Sequence, residues 1–212
     1  MTSLPTPIAM KLEAIVIPVS DVGRAATFYA GLGWRVDADI TAADGGRILQ
    51  FTPPGSPASI LIGTGLTPSA PGTTQFVHLI VPDIVAARAE LIGKGIDASD
   101  VFHDASGGYN RFDPALRASG PDPDRRSYAS FVTFHDPDGN GFVLQEITTR
   151  FPGRIDASVA SFASAQDLAH AMQRASAAHG KREARLGKAD PDWPGWYATY
   201  MVAEQTGDTL PD

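Results

Sequence analysis

His78 sits in the apolar run QFVHLIV, where an imidazole can hydrogen-bond a ligand or move a proton near neutral pH. The competing reading is a ring packed in a strand with one nitrogen satisfied by a neighbour. Gln145, in GFVLQEIT, is either an amide contact for a ligand or a core hydrogen-bonding group. A third group lies in or beside the Gly-, Pro- and Asp-rich stretch 103–127: His103, Tyr109, Arg111, Arg125, Arg126 and Tyr128. So long a connection inside a compact domain is functional or mobile. An Arg there is suited to closing over an anionic or carbonyl-bearing ligand, against the alternative of a solvated loop with ordinary charges.

Other spacings carry less. Asp136, Asp138 and Asn140 in FHDPDGNG resemble the start of a calcium loop, but the turn is too short and lacks the later bidentate Glu. His135 beside it reads as a turn residue. His179 and Glu183 are one helical turn apart, a spacing open to metal ligation, although an exposed polar pair on an amphipathic helix is the expected arrangement. There is no cysteine, which excludes disulfides, thiolate nucleophiles and Cys-ligated metals. No Gly-x-Ser-x-Gly elbow and no phosphate-cradling glycine motif is present in a suitable context.

The elements that must position these groups repeat along the chain. IVIPVSDVGRAATFYAGLG (15–33) lies over VHLIVPDIVAARAELIGKG (77–95) at a constant offset of 62, matching Val19 with Val81, Asp21 with Asp83, Ala25 with Ala87, Gly31 with Gly93 and Gly33 with Gly95. In each copy a β-branched run ends at an Asp suited to capping a helix, and the helix stops at a Gly suited to the left-handed region. Strand-like runs follow: WRVDADI, GRILQFTP and ASILIGTG in the first copy; a weaker IDASDVF, then YASFVTFH and FVLQEIT in the second. Each copy reads strand–helix–strand–strand–strand. The fold class is α+β: two tandem βαβββ modules forming a curved mixed sheet around a shared cavity, followed by a C-terminal helical hairpin.

The expected domains are residues 1–150, with module 1 at about 12–66 and module 2 at about 75–150, and a helical extension at 151–212 after TTRFPGR. Within it a helix is predicted over 165–186, with Leu168, Met172, Ala175 and His179 at three- and four-residue steps and Gly187 as its stop. A second helix is predicted near DPDWPGWYATYMVAE, with Pro191 or Pro194 in its first turn. Its Trp193, Trp196, Tyr197 and Tyr200 form an aromatic face for packing, for a pocket wall or for an interface.

Charge and hydropathy set outer limits. Seventeen basic and 24 acidic side chains give a net charge of −7, unlike a phosphate-backbone binder, so no nucleic-acid partner is expected. No apolar stretch approaches the ~20 residues that span a bilayer, and MTSLPTPIAMKLEAIVIPV lacks the basic-then-apolar order of a secretion signal; a cytoplasmic protein without membrane contact is the expectation.

With the repeat, the Val-Ser-Asp and Phe-Tyr of the first helix, FTPPGSPASILIG and DPDGNG, residues 12–150 resemble the vicinal oxygen chelate superfamily of glyoxalase I, bleomycin-resistance proteins and extradiol dioxygenases. The resemblance implies the fold more than the reaction, since one scaffold hosts lyases, epimerases, dioxygenases and binders. It also implies where a divalent metal would be held: on the first and last strand of each module. In this chain those positions are Ala14, Phe76 and Val143, with ASILIGTG offering no ligand, so no metal or other cofactor is expected. By strand alternation Ala14, Val16 and Pro18 share one face, as do Phe76, His78 and Ile80, and Val143, Gln145 and Ile147. The family orientation turns these faces to the cavity, giving His78, Gln145 and Phe76 as ligand contacts, with His103, Tyr109, Arg125 and Tyr128 from the loop.

The reading is a metal-independent protein that binds a small, largely apolar organic molecule. The alternatives are a lyase or isomerase on an activated carbonyl compound, with His78 as general base and Arg125 or Tyr128 at the oxyanion; a metal-dependent glyoxalase or dioxygenase with displaced ligands such as His78 and Glu146; and a partner-binding protein acting through the aromatic tail. Because fused modules can close a cavity alone or exchange between copies, a homodimer is one expected arrangement.

Overall fold

A computed structural model describes residues 10–151, 160–162 and 164–212, so the first nine residues and part of the junction after TTR lie outside it. The chain divides into two compact units, residues 1–149 and 150–212.

In the first unit the two modules appear in order. Module 1 comprises β1 (Ala14–Val16), α1 (Val22–Gly31), β2 (Arg35–Thr41), β3 (Arg47–Thr52) and β4 (Ser59–Gly63). Module 2 comprises β5 (Val77–Val81), α2 (Ile84–Gly93), β6 (Phe102–Asp104), a 3-10 turn (Pro114–Leu116), β7 (Arg117–Ser119), β8 (Ser130–His135) and β9 (Gly141–Glu146). Strand order is β1-β4-β3-β2 in one sheet and β5-β9-β8-β6-β7 in the other, with β1–β4 and β5–β9 parallel. The helices obey their local signals. Asp21 accepts from Arg24 N, and Asp83 from Val85 N and Ala86 N. Gly33 and Gly95 follow at φ 80° and 78°.

The two sheets do not close on each other as one curved sheet. The modules share a core on the faces covered by α1 and α2, where Tyr29, Trp34, Phe51 and Ile62 meet Ile84, Phe134, Phe142 and Leu144. The opposite faces are partly covered: on module 2 Phe102, Phe131, Val143 and Gln145 are buried, while His78 and Ile80 are exposed. The stretch 103–127 is also more ordered than its composition predicts. It contains β7, which extends the second sheet by pairing with β6 at Phe102–Ser119, His103–Ala118 and Asp104–Arg117.

The Asp-Pro-Asp-Gly-Asn turn joins the modules. Asp136 accepts the amides of Asp138 and Asn140 at 2.9 Å each, Asn140 Nδ2 at 2.7 Å and the Tyr29 hydroxyl at 2.8 Å. Burial and the Asp136 charge push the Tyr29 hydroxyl pKa up, so it remains a donor. Asn140 also donates to Pro18 O at 2.9 Å, and Asp138 accepts from Arg24 at 2.7 Å and from the Ser20 hydroxyl. Gly139 is required by its φ of 93°, and Gly72 by the close approach, since a Cβ there would meet Asp138 O at 2.3 Å.

The second unit contains α3 (Ala165–Leu186), stopped by Gly187 at φ 68°, and α4 (Trp193–Thr206), with Pro194 in its first turn. Its buried stripe is Ala171, Ala175 and His179, while Leu168 and Met172 are exposed. Small residues allow the close helix approach that the longer apolar side chains would obstruct. His179 is consequently not part of an exposed pair. It lies 5.1 Å from the Trp196 ring and 5.4 Å from that of Tyr197, with Asp190 at 3.5 Å and Glu183 at 3.9 Å.

Candidate functional site

Register decides which side chains reach the open face of module 2. β5 pairs with β9 as His78–Val143 and Ile80–Gln145, and β8 with β9 as Phe131–Gln145. Since Phe142 and Leu144 enter the shared core, His78, Ile80, Val143, Gln145 and Phe131 take the other face, joined by Phe102 from β6. His78 and Gln145 are thus brought together; Phe76 precedes β5 at φ 59°, outside the strand, so alternation, the basis of the expectation from sequence, does not set its side chain.

Gln145 is aimed by the backbone. Its Nε2 donates to Tyr128 O at 2.7 Å, which leaves the amide oxygen to hydrogen-bond His78. Burial, and secondarily the Arg111 charge, hold the His78 pKa below its ordinary 6.5, while the Gln145 hydrogen bond acts in the opposite sense. The imidazole is therefore neutral near pH 7, able both to donate and to accept.

Arg111, one of the loop cations named from the sequence, is placed by a local chain of turns. Asp104 accepts Ser106 N at 2.9 Å and Asn110 N at 2.7 Å, and Asn110 Oδ1 accepts Phe112 N at 3.0 Å. Asp113 then caps the 3-10 turn through Ala115 N. This lays Arg111 over the rings of Phe112 (5.1 Å) and Phe131 (5.9 Å), and packs Phe112 edge-on against Phe76 at 4.5 Å. Arg117 sits 4.2 Å over Phe102 and donates to Arg111 O at 2.9 Å. The Nε atoms of both arginines are buried without a hydrogen-bond partner among the described residues. The only prior signal for this arrangement was the Asp-x-Ser and Asn-x-Phe-Asp turn chemistry.

The remaining candidates are elsewhere. His103 turns its Nδ1 to Gly120 O at 2.9 Å, on the face opposite Phe102. Tyr109 is exposed on the loop. Tyr128, at φ 73°, acts on the site through its carbonyl oxygen. Arg125, at φ 51°, pairs with the fully buried Glu146 at 2.5 and 3.1 Å, and Glu146 also accepts Ile84 N at the start of α2. Glu146 therefore serves a helix N-terminus on the core face. It lies on the face opposite His78, so those two side chains do not form a shared ligand pair.

The open face of module 1 carries a polar row: Gln50 donates to Ser59 at 3.1 Å, Ser59 and Thr52 hydroxyls lie 2.6 Å apart, Thr52 reaches Asp37, and Arg35 donates to Asp37 at 2.5 Å. Arg35 chiefly lowers the Asp37 pKa. Ala14, Phe76 and Val143 stand where the family's metal ligands would, and no three His, Asp or Glu side chains gather to hold an ion among the described residues. This donor set does not fit a divalent metal.

Residues 11–144 match the family described as Glyoxalase/Bleomycin resistance protein/Dioxygenase superfamily, and the chain belongs to it. Among solved structures it is similar to TnmS3, an antibiotic binding protein from Streptomyces sp. CB03234 (25% identity, 67% of this chain and 99% of that one, TM-score 0.49). It is also similar to a glyoxalase/bleomycin resistance protein from the same organism (26%, 64% and 100%, TM-score 0.46) and to a superfamily member from Sphaerobacter thermophilus DSM 20745 (24%, 65% and 98%, TM-score 0.47). No curated protein matches the sequence. No helix among the described residues is long and apolar enough to cross a membrane.

Proposed function

We propose that this protein binds a small, largely apolar organic molecule on the open face of module 2, without a metal. The observation that carries the reading is the oriented pair His78–Gln145 beside the exposed rings of Phe76 and Phe112, with the Arg111 guanidinium alongside. Apolar rings supply contact area, and a few aimed polar groups supply orientation. Arg111, rather than Arg125 or Tyr128, is the group placed to meet a carbonyl or anionic oxygen. A neutral His78 also suits a general base, so lyase or isomerase chemistry is the second reading, and it needs that same Arg111 at the oxyanion.

The face is half a cavity. Phe76, Ile80 and Phe112 are exposed on module 2, and Ile40 on the corresponding face of module 1. A second copy of the chain, placing its module 1 opposite module 2, would cover them and complete the site. Screening carbonyl-bearing aromatic compounds by isothermal titration, with and without chelator, tests the reading. Chelator-insensitive binding that weakens at least tenfold in His78→Ala supports it; one tightly held equivalent of metal that binding requires refutes it. Turnover lost in His78→Ala with affinity retained would select the enzyme. Light scattering that reports a monomer at micromolar concentration would refute the shared cavity.

A further inference from the structure

The helical unit has a groove of its own, independent of the module faces, enclosing about 360 Å³. In an acidic chain its lining is basic and aromatic: Arg174, Lys181, Arg182 and Arg185 from α3, with Trp196 and Tyr200 from α4. Arg174 is spent on Glu204, which it binds through two bonds of 2.7 and 2.8 Å. Lys181 has no ion pair among the described residues, and Arg182 and Arg185 approach Asp190 and Asp212 at 3.5 and 3.9 Å. Asp190 lies 3.5 Å from Arg182 Nε, outside hydrogen-bonding geometry, and that Nε is buried without a hydrogen-bond partner. The Trp196 indole N–H is likewise buried and has no acceptor among the described residues, although the residue is only 8% exposed. A buried donor left open this way is costly unless an acceptor or a water takes it.

Something already sits at the mouth of the groove. Pro211 and Asp212 form part of its lining; Arg182 donates to Asp212 O, and Arg185 approaches the Asp212 carboxylate at 3.9 Å. That carboxylate is 98% exposed, so the contact is loose and displaceable.

We propose that this groove is a second ligand site, for a small organic carboxylate, and that Pro211–Asp212 competes for it. The carboxylate takes the place of Asp212 on Arg182 and Arg185, and the apolar body of the ligand lies against Trp196 and Tyr200. The volume suits one compact molecule rather than a polymer, and the chain's net charge of −7 opposes an extended polyanion.

Benzoate is the probe, titrated by calorimetry and by the indole N–H resonance of Trp196, with benzamide as its uncharged counterpart. Four chains are compared: the full chain, the chain lacking Pro211 and Asp212, Asp212→Asn, and Arg182→Gln/Arg185→Gln. Benzoate should bind with a shift of the Trp196 resonance, about twofold to fivefold tighter in the shortened chain, and at least tenfold weaker in the double Gln variant with helicity unchanged. If the shortened chain loses helix, Asp212→Asn must still show tighter binding than the full chain. Equal binding of benzoate and benzamide, or no gain in either Asp212 variant, or full affinity in the double Gln variant, overturns the site.

Discussion

Asp136→Ala tests whether the Asp-Pro-Asp-Gly-Asn turn holds the two modules together. The carboxylate takes four donors, two of them from side chains, and Tyr29 and Asn140 are fully buried. After truncation Asn140 Nδ2 keeps Pro18 O, but the Tyr29 hydroxyl and the Asn140 amide lose the acceptors that satisfy them. At about 1–3 kcal/mol for each buried unsatisfied donor, the expected loss is about 2–6 kcal/mol. Tyr29→Phe removes the orphan instead of creating one and should cost about 1.5–3 kcal/mol, the value of a hydrogen bond to a charged acceptor. The double variant should then fall short of the summed losses by about 2.5–6 kcal/mol, since no hydroxyl is left stranded and the Tyr29–Asp136 bond is lost only once. Urea denaturation measures this through Trp34, which stacks on Tyr29 at 5.4 Å; Phe at Trp193 and Trp196 makes it the sole indole. A loss below about 0.5 kcal/mol for Asp136→Ala, the level of an ordinary surface change, would refute the joint, as would strict additivity in the cycle.

Arg125→Ala leaves Glu146 buried without its counter-charge and should cost about 2–3 kcal/mol, a value reduced because Arg125 is half-exposed; Glu146→Gln on that background should recover part, and no recovery in denaturation midpoints would count against a charge effect. Arg111→Gln should raise the His78 pKa toward 6.5, read from the imidazole proton shifts between pH 4 and 8. The sign for stability follows: as pH falls below 6.5 the unfolded chain takes a proton that folded His78 resists, so stability drops, and Arg111→Gln should shrink that drop. Asp122, held by Arg126 with a pKa of about 2, contributes stability that is present above its ordinary 3.8 and lost as pH falls through about 2; Asp122→Asn should flatten this acid limb of the denaturation profile.

What the sequence makes legible is what its signals specify locally. The offset of 62, the capping Asp21 and Asp83 and the stops at Gly33 and Gly95 place both module helices, because caps and left-handed glycines act within one turn. Strand alternation likewise puts His78 and Gln145 on one face. The strand β7 is not legible: Arg-Ala-Ser has no alternation, and its state is set by pairing with β6. Arg111 is visible as one of several loop cations, but its position over Phe131 depends on two successive Asp and Asn turns. On α3 the periodicity gives the helix and misassigns its buried side, since Leu168 and Met172 outrank Ala171 in hydropathy while only the small residue permits the contact.

The same contrast separates the Asp-Pro-Asp-Gly-Asn turn from the strand it introduces. Val143 packs with Phe102 and Phe131. Two residues on, Gln145 turns to the Tyr128 carbonyl and to His78. The turn itself makes its bonds in the other direction, to Pro18, Ser20, Arg24 and Tyr29 of module 1. Its polar groups are therefore consumed by the joint between modules, and they would be needed there whatever the open face binds. Val143 can change without touching that joint, because strand alternation puts it and the core residues Phe142 and Leu144 on opposite faces. The contacts that hold the modules together and the side chains of the opposite face are thus set by separate residues, and a change on that face leaves the joint in place.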